Sequence, residues 1–283
     1  MGSRLMVRKK KPPVSELKAL AKEYRKGILG VIFEAGSGHP GGSLSLVEIL
    51  IGLYHYKMNV YPKDPEREDR DIFILSKGHC CPALYVTLAG CGFFPKEELP
   101  RFRKLGSFLQ GHAHKGVPGV ELSTGSLGQG LSVANGWALA SKMDNDPRRV
   151  YCVIGDGEIN EGQIWEAAMF AGFKRLDNVC AILDRNMIQQ DGPTEKIKDL
   201  EPVGAKWKAC GWKVIEIDGH DIEAVMDALD KAGRTKGKPA IIIANTVKGK
   251  GVSFMENSFP WHGKAPGREE YEKALKEIDS AAL

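Results

Sequence analysis

The chain has 283 residues, 42% of them hydrophobic, which is enough apolar material for a sizeable core in one large α/β domain or two small ones. Its 40 basic and 36 acidic residues leave a net charge of +4, so no polyelectrolyte partner such as nucleic acid is indicated. No apolar stretch approaches the ~18 residues of a membrane span, and the basic start has no apolar segment behind it, so neither a membrane protein nor a signal peptide is expected.

In chain order, residues 1–13 carry the basic run Arg8-Lys9-Lys10-Lys11 ahead of Pro12-Pro13 and read as a flexible, solvated terminus. A first helix is expected from Ser15, as N-cap, to about Phe33, with Leu17, Leu20, Ala21, Tyr24, Ile28 and Leu29 on one face. The glycine-rich loop Gly36 to Gly42 leads into an apolar helix from Leu44 to about Tyr56, in which His55 is structural. Asp71 to Ser76 reads as a buried strand with Lys77-Gly78-His79 at its carboxyl end, followed by a helix from Pro82 to Ala89 and an irregular stretch from Gly90 to Leu127. Beyond Gly128 the alternation is regular: helix Gln129 to Met143, strand Val150 to Ile154, helix Glu161 to Ala171, strand Val179 to Leu183, strand Lys213 to Ile217, helix Ile222 to Ala232 and strand Ala240 to Asn245. Apolar strands alternating with helices predict an α/β fold: a mostly parallel sheet covered by helices on both faces, in a single domain over 1–283 without repeats. Six cysteines show no CxxC spacing and fit a reduced, cytoplasmic protein, with Cys80-Cys81 in a packing role.

Ligands of such sheets bind beyond the carboxyl ends of the strands, and the distinctive loops lie there. Gly155-Asp156-Gly157 ends one strand and Asp184-Arg185-Asn186-Met187-Ile188 ends the next. Glycines allow close approach of backbone to phosphate, where a carboxylate alone would repel the anion. A hard divalent cation such as Mg²⁺ resolves that conflict by accepting Asp156, the Asn186 amide oxygen and a nearby backbone carbonyl together with phosphate oxygens. The spacing GxGxxG of a dinucleotide site and the GxxxxGK[ST] of a Walker loop are both missing. His39 and His79 sit in glycine-bordered loops suited to a ligand, whereas His112 and His114 lack a third ligand at metal spacing. His220 reads as a cap for the following helix, and His262 is open between a structural and a functional role. Gly125-Ser126-Leu127-Gly128-Gln129-Gly130 is either an anion-binding helix start or a tight loop. Lys248-Gly249-Lys250-Gly251 adds mobile positive charge as a phosphate contact or as a solvated turn.

Together these loops resemble the thiamine-diphosphate enzymes, specifically the transketolase family, from about Leu17 to His262. Ser37-Gly38-His39-Pro40-Gly41, Ser76-Lys77-Gly78-His79, Gly125 to Gly130, and Gly155-Asp156-Gly157 through Ile188 stand in the family's order. The resemblance implies the diphosphate-binding domain of that fold, thiamine diphosphate as cofactor, and Mg²⁺, with Ca²⁺ or Mn²⁺ in its place, on Asp156, Asn186 and the Ile188 carbonyl. It implies contacts to the cofactor from His79, Gly125, Leu127, Gly128, Gly157, Glu161, Asn186 and His262, with Glu161 also near a subunit interface. His39, His112 and His262 would line the substrate channel. The implied reaction moves a two-carbon ketol unit from a ketose phosphate to an aldose phosphate, as in pentose phosphate metabolism.

Two departures qualify the match. The family's GHPE is here Gly111-His112-Ala113-His114, which leaves open which histidine faces substrate. The family's activating glutamate and phosphate-gripping arginines belong to a second domain, and this sequence stops at Leu283. The expectation is an amino-terminal subunit that works with a separate carboxyl-terminal subunit, as an α₂β₂ assembly. The alternatives are a catalytically silent cofactor-binding module, or an α-type subunit of another thiamine-diphosphate enzyme.

Overall fold

The structure, a computed structural model, describes residues 11–281. The basic residues Arg8 to Lys10, and with them most of the terminus expected to be flexible, lie outside that range. Helix α1 (Val14–Ala35) leads to α2 (Pro40–Leu44), α3 (Val47–Ile51) and a π-helical turn, Gly52–Lys57. Strand β1 (Ile72–Leu75) and α4 (Cys81–Cys91) follow, then α5 (Gly130–Met143), β2 (Val150–Gly155), α6 (Gly162–Phe173) and β3 (Val179–Arg185). The chain continues through α7 (Thr194–Ile197), α8 (Val203–Ala209), β4 (Lys213–Asp218), α9 (Ile222–Arg234), β5 (Ala240–Asn245) and α10 (Arg268–Ser280).

All five strands are parallel, in the order β1-β2-β3-β5-β4. Because side chains alternate across a strand, each one feeds two cores. Phe73, Leu75, Tyr151 and Val153 pack with α1, α3, α4, α9 and α10 on one face. Ile72, Ile74, Val150, Cys152 and Ile154 pack with α5, α6 and α8 on the other. The strand order follows from handedness. Right-handed crossovers through α6 and α8 carry the chain outward from β2 to β3 to β4; α9, on the opposite face, must then bring β5 back between β3 and β4. The chain leaves β1 and β5 toward one face, and β2 and β3 toward the other. The loops therefore part above the carboxyl ends of the strands and open a crevice there.

Several local expectations change. Pro13, not Ser15, precedes the first helical residue, and its carbonyl accepts from Glu16 and Leu17 N–H; proline's fixed φ suits a helix start. The helix expected from Leu44 to Tyr56 is divided into α2, α3 and the π turn, with Ser45, between α2 and α3, placing its hydroxyl against the Gly42 carbonyl at 3.0 Å and the Asp184 carboxylate at 2.6 Å. Glu161 caps α6 instead of opening it. The stretch from Gly90 to Leu127 includes the end of α4 and a 3-10 turn at Lys96–Arg101. Helices α7, α8 and α10 were not expected. Among the described residues no helix is long and apolar enough to cross a membrane.

Candidate active site

The end of β3 carries an acid into the core. Asp184 is 0% exposed, and a bare carboxylate there would cost several kcal/mol. Lys77, from the turn after β1, and Thr246, after β5, donate to it. Ser45 Oγ and Asn186 Nδ2 donate at 2.6 and 3.1 Å. Burial pushes the Asp184 carboxyl up, but the Lys77 ammonium and the other donors more than reverse that and hold it below the usual carboxylate range. Lys77, itself buried, is in turn held above the ordinary lysine value by Asp184, against the effect of burial.

This pair orders the donors beside it. Holding Asn186 Nδ2 fixes the amide orientation, and Oδ1 accepts the Ile188 N–H at 3.2 Å. Asp156 follows β2, whose Gly155 stands in register with Asp184, and accepts the N–H groups of Gly157 and Met187, each at 2.7 Å. Burial, then the like charge of Asp184, push the Asp156 carboxyl up to about 6. Met187 takes φ 66°, an uncommon value for a side-chain-bearing residue, so that its N–H meets Asp156. Arg185 Nη1, 3.5 Å from Asp156, offsets the upward push on that carboxyl only in part. The Asp156 carboxylate, the Asn186 amide and the Ile188 carbonyl are hard oxygen groups of the kind Mg²⁺ prefers. No cluster of three or more His, Cys, Asp or Glu able to hold a metal occurs among the described residues.

Four histidines converge beside these donors. Ring centroids lie 5.1 Å apart for His39 and His79, 6.2 Å for His39 and His112, 5.5 Å for His39 and His262, and 5.3 Å for His79 and His262. They come from the start of α2, the 3-10 turn after β1, the loop before α5 and the 3-10 turn Phe259–His262. Burial, then Arg103, lower His39 to about 4; burial, then Lys248, lower His262 to about 3. His79 and His112 are lowered too, chiefly by burial. All four imidazoles are neutral at pH 7. Lys248 Nζ lies 2.9 Å from His262 Nδ1 and 3.0 Å from the Ile188 carbonyl. The ammonium donates to Nδ1, so the ring proton of His262 sits on Nε2. Two buried polar atoms lack a protein partner here, His39 Nδ1 and Gln189 Nε2. An unpaired buried polar group is costly, and a ligand oxygen would satisfy it.

The structure separates the candidates. His112 joins the cluster, with Gly125 beside its ring; His114 turns away and accepts the Gly116 N–H at 3.1 Å. Gly157 lies next to Gln189. The Gly125 to Gly130 loop is not an open anion nest: Glu158 accepts the Gly128 N–H at 2.8 Å, and Ser76 Oγ accepts that of Gly130 at 3.1 Å. Gly128, at φ 88°, needs to be glycine because an added Cβ would come 2.9 Å from that of exposed Glu161. Leu127 is half-buried, and its carbonyl lies 3.4 Å from Gln163 Nε2. Lys248 is buried and pinned rather than mobile. Asp184, Glu158 and Gln189 escaped sequence reasoning; the available signal was an acid closing an otherwise apolar strand.

Two outcomes follow. Between pH 6.5 and about 4 the unfolded chain protonates its histidines while His39 and His262 stay neutral, so the unfolded state binds more protons. Stability to urea should therefore fall as pH drops through that window, and His262→Asn should flatten the decline; an unchanged slope would contradict the neutral cluster. Lys77→Met should cost about 3–5 kcal/mol by stranding Asp184, with part regained in Lys77→Met/Asp184→Asn. A loss below ~1 kcal/mol would show that the pair is not required.

Residues 17–279 match the family described as transketolase, thiamine diphosphate binding domain. The 6-deoxy-6-sulfo-D-fructose transketolase subunit of Clostridium sp. MSTE9 is 46% identical, covering 93% of this chain and 96% of that protein. An apulose-4-phosphate transketolase subunit of Phocaeicola vulgatus is 43% identical, with 94% of each covered. Human transketolase is 39% identical across 95% of this chain, which spans 44% of the human protein. The crystal structure of Campylobacter jejuni transketolase superposes with a TM-score of 0.88 at 34% identity, covering 93% of this chain and 43% of that one. This chain belongs to the transketolase family, through its thiamine diphosphate binding domain.

Proposed function

We propose that this chain is the amino-terminal subunit of a split transketolase, moving a two-carbon ketol unit from a ketose phosphate to an aldose phosphate. The observation that carries the reading is the meeting of four neutral histidines with the Asp156, Asn186 and Ile188 donors at one sheet edge. In this reading Asp156, Asn186 and the Ile188 carbonyl hold Mg²⁺, or Ca²⁺ or Mn²⁺ in its place. Gly157, His79, Gly125, Leu127 and Gly128 would hold thiamine diphosphate, the unpartnered Gln189 Nε2 would be free to donate to it, and Glu161 would stand toward the subunit boundary. When bound, thiamine diphosphate supplies the nucleophilic carbon and the electron sink.

The protein's own part is to bind, orient and move protons. A neutral imidazole both donates and accepts near pH 7, so His39, His112 and His262 suit sugar hydroxyls and a reacting carbonyl oxygen. His262 offers Nε2–H as donor and His39 the unpartnered Nδ1. A silent cofactor-binding module would have no use for these buried, desolvated rings.

The second half of the site is assigned to a carboxyl-terminal subunit, in an α₂β₂ assembly. Helices α5 and α6 leave Trp137, Met143, Met169, Phe170 and Phe173 exposed, up to 80% at Phe173, which is apolar surface suited to a protein partner. The free cysteines suit a reducing compartment such as the cytoplasm.

The reading predicts Mg²⁺-dependent binding of thiamine diphosphate to the full chain, measured calorimetrically. Asp156→Asn should weaken it by ~100-fold or more while leaving the circular dichroism unchanged. Equal affinity in the variant, or binding indifferent to Mg²⁺, would refute the assignment.

A further inference from the structure

The loop after β5 is tied down residue by residue. Thr246 donates to Asp184, and Lys248 Nζ reaches the Ile188 carbonyl and His262. The Gly249 N–H donates to the Gly41 carbonyl at 2.9 Å, and the Lys250 carbonyl accepts from Arg25 Nε at 3.1 Å. The Thr246 N–H donates to the Arg185 carbonyl at 3.1 Å, and the Lys248 carbonyl accepts from the Asn257 N–H at 2.9 Å. A further tie comes from outside the site, where the backbone N–H of Val247 donates to His220 Nε2 at 2.8 Å.

That bond fixes the tautomer of His220. A backbone N–H only donates, so Nε2 carries the lone pair and Nδ1 the proton. Nδ1 faces Glu48 Oε2 at 2.9 Å, and Arg25 Nη2 lies 2.7 and 2.9 Å from the two oxygens of the same carboxylate. Burial alone would push the Glu48 carboxyl up, but Arg25 and His220 reverse this and keep it ionised. A chain of fixed polarity thus runs from Arg25 in α1, through Glu48 in α3 and His220 before α9, to the Val247 amide. His220 is not the cap of α9, as its position in the sequence suggested. Asp221 is, accepting the Glu223 and Ala224 N–H groups at 2.9 and 3.2 Å. Both ring nitrogens of His220 are engaged, which leaves neither for substrate.

We infer that His220 is a positioning residue: by accepting the Val247 N–H it sets the course of the 246–250 loop, so that Lys248 reaches the Ile188 carbonyl and His262. The inference rests on the proposed cofactor site, because it is that end of the site which the loop presets.

Two substitutions separate the nitrogens. In His220→Asn the side-chain amide takes the place of Nδ1 and the acceptor for Val247 is lost. In His220→Gln the amide oxygen takes the place of Nε2 and the acceptor is kept. With saturating Mg²⁺, H220N should raise the Kd for thiamine diphosphate ~10-fold and speed amide exchange over 245–250. H220Q should stay within ~3-fold, with the loop still protected. Wild-type binding and protection in H220N would overturn the inference, as would equal losses in both variants. A wild-type chain that fails to bind thiamine diphosphate would sink the functional reading, and the exchange at Val247 would still decide the role of His220.

Discussion

A carboxylate at the end of a buried strand has to be answered from every side, and at Asp184 that requirement draws four segments to one point. The end of α2, the turn after β1, the turn after β3 and the end of β5 each send it a donor. Desolvating two ions costs several kcal/mol apiece, so such a pair adds little net stability over apolar side chains of similar volume. What it adds is position. An apolar pair tolerates sliding; a carboxylate that must receive Ser45, Lys77, Asn186 and Thr246 does not.

The charge distribution of the crevice follows from that point. Lys77 compensates Asp184 closely, whereas Asp156 has Arg185 only at 3.5 Å and stays raised by burial and by the like charge of Asp184, which suits that end of the site to a cation. Burial, with Arg103, Lys77 and Lys248 nearby, strips the protons from the histidines, so the other end presents neutral groups able both to give and to accept. A hard-donor end and an imidazole end within one crevice suit a phosphate-bearing cofactor and a polyhydroxy substrate. The family to which the chain belongs binds thiamine diphosphate through this domain.

Much of this is legible in the residues. Strands buried on both faces are continuous apolar runs, so Val150 to Ile154 and Val179 to Leu183 could be found without coordinates, and loop residues at their ends followed from the parallel arrangement. What escaped depends on contacts distant in sequence. Ser45 is buried against Asp184, 139 residues away, a contact no local pattern announces. Lys248 stands in a glycine-flanked basic turn that reads as solvated, yet carbonyls of the β3 loop bury it. Helix α10 is mostly charged and buries only Ala274 and Ile278, too few positions for a periodic signal. His220 looks like a cap because the residue after it is one.

The central claim is that this chain carries half of an active site. Its most direct test is ketol transfer from a ketose phosphate to an aldose phosphate, assayed with thiamine diphosphate and Mg²⁺ on the chain alone, on its carboxyl-terminal partner alone, and on the two combined. The account predicts turnover only in the mixture, lost again when Asp156→Asn replaces the wild-type chain. Turnover by this chain alone, or an assembled mixture with none, would contradict it.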